Sequence, residues 1–341
     1  MTSQLVLVAN AGEGSISVFR FDGSSLERLS VATELQGCSN FVVDASRDLV
    51  YAAVKGRPAA IVTLRLDRAS GELRSISRRD TPRGGLNYVA LTRDGGALLG
   101  AAYSASYGLI APINDGEVGE ATTIVEHRHL HSVAPSSDGR FAYFVSLGDD
   151  VVGQYAITDD LELEALDPVG AVAPAGSGPR HIVLNGAETF AYVITEFSGE
   201  VLRFERDASN GTLSFVDSAS YADALQGLQR GVLGGNPLEP RSIWGADVHW
   251  GADEQFLWTS ERTTSTLAPL TVNSDGSLED AASFTVTQQH PRGFGLSPDG
   301  RFLVAAGEGA TQVSLYEVRG DHLTELQQVE TGAGANWVRW V

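Results

Sequence analysis

A single all-β domain, a seven-bladed β-propeller over residues 1–341, is the fold this sequence predicts, and three observations predict it. A strand–turn–strand unit recurs six times, no stretch sustains a 3.6-residue period, and the two termini hold complementary parts of a seventh unit.

The six copies are SNFVVDASRDLVYAAV from Ser39, LNYVALTRDGGALLGAAY from Leu86, LHSVAPSSDGRFAYFVSL from Leu130, PRHIVLNGAETFAYVITE from Pro179, GADVHWGADEQFLWTSE from Gly245 and PRGFGLSPDGRFLVAAGE from Pro291. Their turn acids, Asp48, Asp94, Asp138, Glu188, Asp253 and Asp299, are separated by 46, 44, 50, 65 and 46 residues. That period suits a blade of four strands. Most copies are followed by two more strands joined at a turn such as DASNG or NSDG, whose Asn, Asp and Gly tolerate positive φ.

The seventh blade lies at the ends of the chain. QLVLVANAG, GSISVFRFD and SLERLSVATEL are three strands without an inner one, and the C-terminal GANWVRWV begins like the inner strands of the other repeats. Pairing the C-terminal strand with the N-terminal ones closes the ring and removes the exposed sheet edges. The 65-residue interval marks an insertion at about 222–240. It either covers one mouth of the central channel or is a surface excursion between blades.

Composition narrows the function. Hydrophobic residues make up 43% and charged residues 20%, a globular balance, and no apolar run approaches the length that spans a bilayer. The N-terminus lacks a basic segment before its short apolar run and Cys38 is the one cysteine, so the expectation is a cytoplasmic protein without disulfides. A net charge of −19 repels polyanions and argues against nucleic acid. Lys55 is the only lysine, so an anion site is expected to be built from Arg, His or backbone N–H groups.

GSGPRH, FAYVITE, WGADVH, SERT, QHPRGF, SPDGRFLVAAG and GAGANWV resemble the seven-bladed lactonase propellers. These include bacterial 6-phosphogluconolactonases and the fungal 3-carboxy-cis,cis-muconate cyclase. The resemblance covers nearly the whole chain. It implies lactone chemistry without metal or cofactor, with His131, Arg180, Glu196 and Arg262 at positions like those of the cyclase's catalytic residues. Arg292, Asp247 and His249 match further motifs, and these three with Tyr88 are the expected substrate-binding residues. Tyr88 is also a departure, because the bacterial lactonases place a histidine there.

Propeller geometry explains how such scattered residues meet. His131, Arg180 and Arg292, with Asn40 and Asn87, begin inner strands that surround the channel; Glu196 and Arg262 end second strands, which antiparallel pairing returns to the same mouth. Glu196 or His131 is the candidate base, and Arg180 and Arg262 the candidate anion holders. A buried Glu is pushed up by desolvation and down by arginines, and the sequence leaves that balance open. Strict alternation turns His181 away from Arg180, and puts Asp247 and His249 on one face, where they either contact substrate or tie blades together. His127, His129 and His131 alternate as metal ligands might be spaced, but no acidic ligand accompanies them.

The expectation is a monomeric hydrolase of a small anionic lactone, 6-phosphogluconolactone foremost. The alternatives are a carboxymuconate-type lactonizing cycloisomerase and a non-catalytic binding platform.

Overall fold

The computed structural model describes residues 4–236 and 241–341 as seven antiparallel sheets. The inner strand of blade 1 is Ala335–Trp340, and those of blades 2 to 7 are Asn40–Asp44, Tyr88–Leu91, Leu130–Pro135, Pro179–Leu184, Gly245–Trp250 and Pro291–Leu296. Each inner strand contacts the next, and blade 7 contacts blade 1, so the ring closes around a central channel.

Closure is by the two ends of the chain. Gln4–Asn10 pairs on one side with Ser15–Phe21 and on the other with Ala335–Trp340, placing Val8 opposite Val338. Leu5 and Val341 exchange both backbone hydrogen bonds, at 3.0 and 2.8 Å.

The core lies between blades. One apolar cluster joins Leu7, Ile16 and Val18 of blade 1 to Phe41, Val50 and Val62 of blade 2, and similar clusters bridge the other neighbouring pairs. A strand sandwiched between two sheets is covered on both faces, which is why Leu49–Val54 and Phe302–Gly307 are buried at every position instead of alternating. Full burial of each large aliphatic side chain contributes about 1.5–3 kcal/mol. The turn after each inner strand of blades 2 to 7 is made with left-handed backbone, at Asp48, Gly95, Gly139, Glu188 and Gly300 singly and in blade 6 at the pair Asp253 and Glu254.

Two regions depart from the simple repeat. The NSDG turn of blade 6 opens onto a single bridge, Val272 to Leu278, and not a full fourth strand. Asp280 and Ala281 instead bond Ser220 of blade 5, and the outer strand of blade 6 is the short Thr285–Val286. The insertion crosses one mouth of the channel: Gly231 donates to Phe197, Gln229 bridges Ser242, and Gly234 and Gly235 reach the rim of a cavity. Residues 237–240 of the expected insertion lie outside the described residues.

Candidate active site

One local device aims the side chains that enter the channel. The pairing between inner and second strands skips a residue at His131 in blade 4, Arg180 in blade 5 and Arg292 in blade 7, so each is the extra residue of a β-bulge. Two positions earlier stands a left-handed residue, His129 (φ 49°), Gly178 (φ 64°) or His290 (φ 56°), which turns the chain into the strand. A bulge suspends the alternation of faces. Arg180 and His181 therefore project together, with Arg180 Nη1 3.1 Å from His181 Nε2, and His181 enters the channel although alternation turns it away.

At the mouth where inner strands begin, a cavity of about 700 Å³ is lined by His131, Glu196, Arg262 and Arg292, with Tyr103 and Trp244. Glu196 is its centre. Its Oε2 accepts from Arg180 Nε at 2.9 Å, and its Oε1 lies 3.2 Å from Arg262 Nη2. Arg262 also donates to the carbonyls of Trp244 and Gly245, both at 3.1 Å, which fixes the plane of its guanidinium. Arg292 donates to Glu308 at 2.8 Å. Arg180 stands behind this layer, only 1% exposed, and bonds Glu196, His181 and the Ala246 carbonyl instead of facing the cavity.

The electrostatic balance that the sequence leaves open is decided by these distances. Burial pushes the Glu196 carboxyl up, but Arg262, Arg180 and Arg292 outweigh it and hold the group below the ordinary carboxylate value. Burial, then the surrounding arginines Arg180, Arg292 and Arg262, with the nearby His181 ring opposing any second proton, hold His131 well below the ordinary imidazole value. At neutral pH the mouth therefore contains an ionised Glu196 and an uncharged His131. His131 Nδ1 is buried and has no hydrogen-bond partner among the described residues. Burial and Arg262 lower the Arg180 guanidinium to about 9, so it remains a cation.

Tyr88, Asp247 and His249 lie further along the inner strands, in a second cavity of about 360 Å³ that also touches His181 and Arg339. The rings of His131 and His181, 5.0 Å apart, stand between the two chambers. Asp247 binds two imidazoles, His181 Nδ1 at 2.8 Å and His249 Nε2 at 3.0 Å, and accepts from the backbone of Val248. Because a guanidinium has only N–H groups to offer, His181 Nε2 accepts from Arg180 and its Nδ1–H donates to Asp247. A chain of hydrogen bonds thus runs from Asp247 through His181 and Arg180 to Glu196. Tyr88 packs edge-on to His181 and Trp337, 5.1 and 5.4 Å away.

Asn40 and Asn87, though at strand starts, act between blades. Asn40 accepts from Val89 N at 2.8 Å, and Asn87 donates to the His131 carbonyl at 2.6 Å. The three alternating histidines diverge: His127 bonds Tyr155, His129 stacks on Tyr103 and His131 enters the channel. Among the described residues no cluster of three His, Cys, Asp or Glu side chains could hold a metal ion.

Sequence reasoning passed over several contributors. Glu261 is 2% exposed and accepts from the backbones of Trp244, Thr263 and Thr264, folding the loop that presents Arg262. The acid in SERT was the available signal. Glu308 neutralises Arg292, and Lys55 and Arg57 line the cavity rim. Lys55 was set aside because one lysine in a chain carries no pattern.

Comparison with known proteins agrees with this architecture. The family described as "Lactonase, 7-bladed beta-propeller" matches residues 4–340. A 6-phosphogluconolactonase of Cronobacter sakazakii is 27% identical over 340 residues, covering 98% of this chain and 97% of that protein. One from an Enterobacter species is 27% identical over 345 residues, with 98% of each chain covered. Among solved structures, the periplasmic gluconolactonase of Pseudomonas aeruginosa superposes with a TM-score of 0.88 at 26% identity, covering 100% of this chain and 99% of that one. Repeat, ring closure and matched profile together make this chain a member of the seven-bladed β-propeller lactonase family.

Proposed function

We propose that this protein hydrolyses a sugar lactone, opening 6-phosphogluconolactone to 6-phosphogluconate, and that it does so without a metal. The observation that carries the reading is the placement of an uncharged His131 beside the Arg180–Glu196–Arg262 cluster at one open cavity. Relatives named 6-phosphogluconolactonase and a structural neighbour named gluconolactonase support the same substrate class.

In this reading the lactone carbonyl faces Arg262 and Arg292. Water attacks the carbonyl carbon, His131 takes the proton, and the oxyanion is held by guanidinium groups already fixed in place. Collapse of the tetrahedral species breaks the ring C–O bond, and His131 returns the proton to the leaving oxygen. Glu196 is assigned to holding the two arginines, because both of its oxygens are engaged by Arg180 and Arg262, whereas His131 Nδ1 has no partner among the described residues. The seven sheets close within one chain, which supports a monomer.

The test is a rate. Purified protein is expected to accelerate hydrolysis of freshly made 6-phosphogluconolactone above its spontaneous rate, and to keep that rate after exhaustive treatment with a chelator. No acceleration rejects the reading, and loss on chelation rejects its metal-free form.

A further inference from the structure

We propose that Lys55 and Arg57 hold the phosphoryl group of the substrate at the rim of the cavity and set a preference for phosphorylated over neutral sugar lactones. The proposal rests on the lactonase reading above and goes beyond it by assigning the residues that read the distal end of the substrate.

Charge is the first argument. Around this mouth Arg292 is paired with Glu308, while Arg180 and Arg262 share the single carboxylate of Glu196. Lys55 and Arg57 line the same cavity, and no carboxylate lies within ion-pair distance of either among the described residues. Two unpaired cations beside a cluster already one charge in excess make this mouth positive in a protein of net charge −19. A lactone ring is neutral and does not call for two more cations, whereas a phosphoryl dianion matches them in number and sign.

Pre-organisation is the second. Lys55 follows the strand Leu49–Val54, and its stem runs between two glycines. A Cβ at Gly37 would stand 3.0 Å from Lys55 Cβ, and one at Gly85 would stand 2.8 Å from Lys55 Cγ. Gly37 has a φ of 64°, so both backbone conformation and space favour glycine there. A lysine packed this closely along its stem loses less freedom on gripping an anion than one on an open surface. The side chain as a whole remains exposed at the rim; desolvation along its packed stem and the neighbouring Arg292, opposed by Glu308, lower the ammonium below the usual lysine value.

Position is the third argument. Arg262 and Glu196 come from second-strand ends of blades 5 and 6, whereas Lys55 and Arg57 come from the loop of blade 2, across the ring. A cavity of about 700 Å³ accommodates a sugar-sized ligand between them.

The experiment compares two lactones in four proteins. Initial rates on fresh 6-phosphogluconolactone and on gluconolactone are measured for the wild-type chain, Lys55→Ala and Arg57→Ala, with Lys55→Arg as the conservative control. The alanine variants are expected to lose about 10- to 100-fold in kcat/KM on the phosphorylated lactone, mostly through KM, with gluconolactone turnover unchanged within about twofold. Lys55→Arg should restore most of the loss. Equal losses on both lactones, or no loss on either, overturn the proposal while leaving the lactonase reading intact. A wild-type chain that opens neither lactone overturns both.

Discussion

The two chambers of the channel are built from the same inner strands, yet they treat polar groups in opposite ways. In the far chamber Asp247 is saturated by His181, His249 and the Val248 N–H, and Arg339, without a carboxylate partner among the described residues, donates to the Val338 carbonyl and sits over Trp337 with its guanidinium carbon 3.9 Å from the ring centroid. In the near chamber, among the described residues, His131 Nδ1 has no partner, three arginines share two carboxylates, and Lys55 and Arg57 have none. Satisfied polar groups hold a structure together; unsatisfied ones wait for a ligand. The contrast assigns substrate to the near chamber and rigidity to the far one, and the predictions are chosen to break that division.

The largest effect belongs to the near chamber. Arg262→Ala removes a fixed donor from the cavity wall and is expected to lower kcat/KM by about 100- to 1000-fold. Arg262 is buried and also bonds Glu196 and the carbonyls of Trp244 and Gly245, so the melting temperature should fall as well, while Glu261 keeps the loop folded and the rate falls by more than the loss of folded protein accounts for. Steady-state kinetics and a thermal melt on the same preparation check this. A variant that melts early and keeps its rate would reverse the assignment.

Asp247→Ala is the counterpart in the far chamber. It leaves the buried His181 Nδ1–H and the half-buried His249 without their acceptor and frees His181 from the tautomer that receives Arg180, so a stability loss of about 1–3 kcal/mol is expected in denaturant unfolding. Its effect on the rate should be the smaller one and should fall on kcat, because Asp247 reaches the cavity only through His181 and Arg180. Asp247→Asn keeps the shape and one acceptor oxygen, and should recover part of both losses. If Asp247→Ala raised KM with stability unchanged, the far chamber would be the one that binds substrate.

How much of this was legible in the sequence follows from the distance over which each feature is decided. The blade repeat and the closure by GANWVRWV could be read because turn chemistry and strand periodicity are local. That Glu196, Arg262 and His131 share a mouth could be read because strand starts and ends alternate between the two sides of a blade. The bulges could not, since an extra residue exists only relative to the partner strand; alternation therefore misplaced His181. The ionisation of Glu196 was equally hidden, because burial and three arginines pull oppositely and only distances decide between them. Lys55 escaped because its signal lies in the glycines that flank it in space, at 37 and 85, and not in its own neighbourhood.

The smallest effect separates the chambers by pH. His131 is held well below the usual imidazole value and Glu196 below the usual carboxylate value, so kcat/KM on gluconolactone, which carries no phosphate to titrate, should stay level from about pH 8 to about pH 5, with no inflection near the ordinary imidazole value of about 6.5. Stability should behave differently. Burial and Arg180 lower His181 to about 4, against the hydrogen bond it donates to Asp247, so the folded chain keeps this ring neutral while the unfolded chain protonates it near 6.5. On acidification the unfolded state takes up the proton first. The stability is therefore full above about pH 6.5 and declines as pH falls towards about 4, by about 3 kcal/mol for His181 alone. Unfolding by urea at a series of pH values, for wild type and His181→Gln, measures it: the variant should show the shallower decline. A wild-type rate that falls in step with stability between about pH 6.5 and 5 would mean that the reaction depends on a group titrating there, and His131 could not then be the uncharged base of the near chamber.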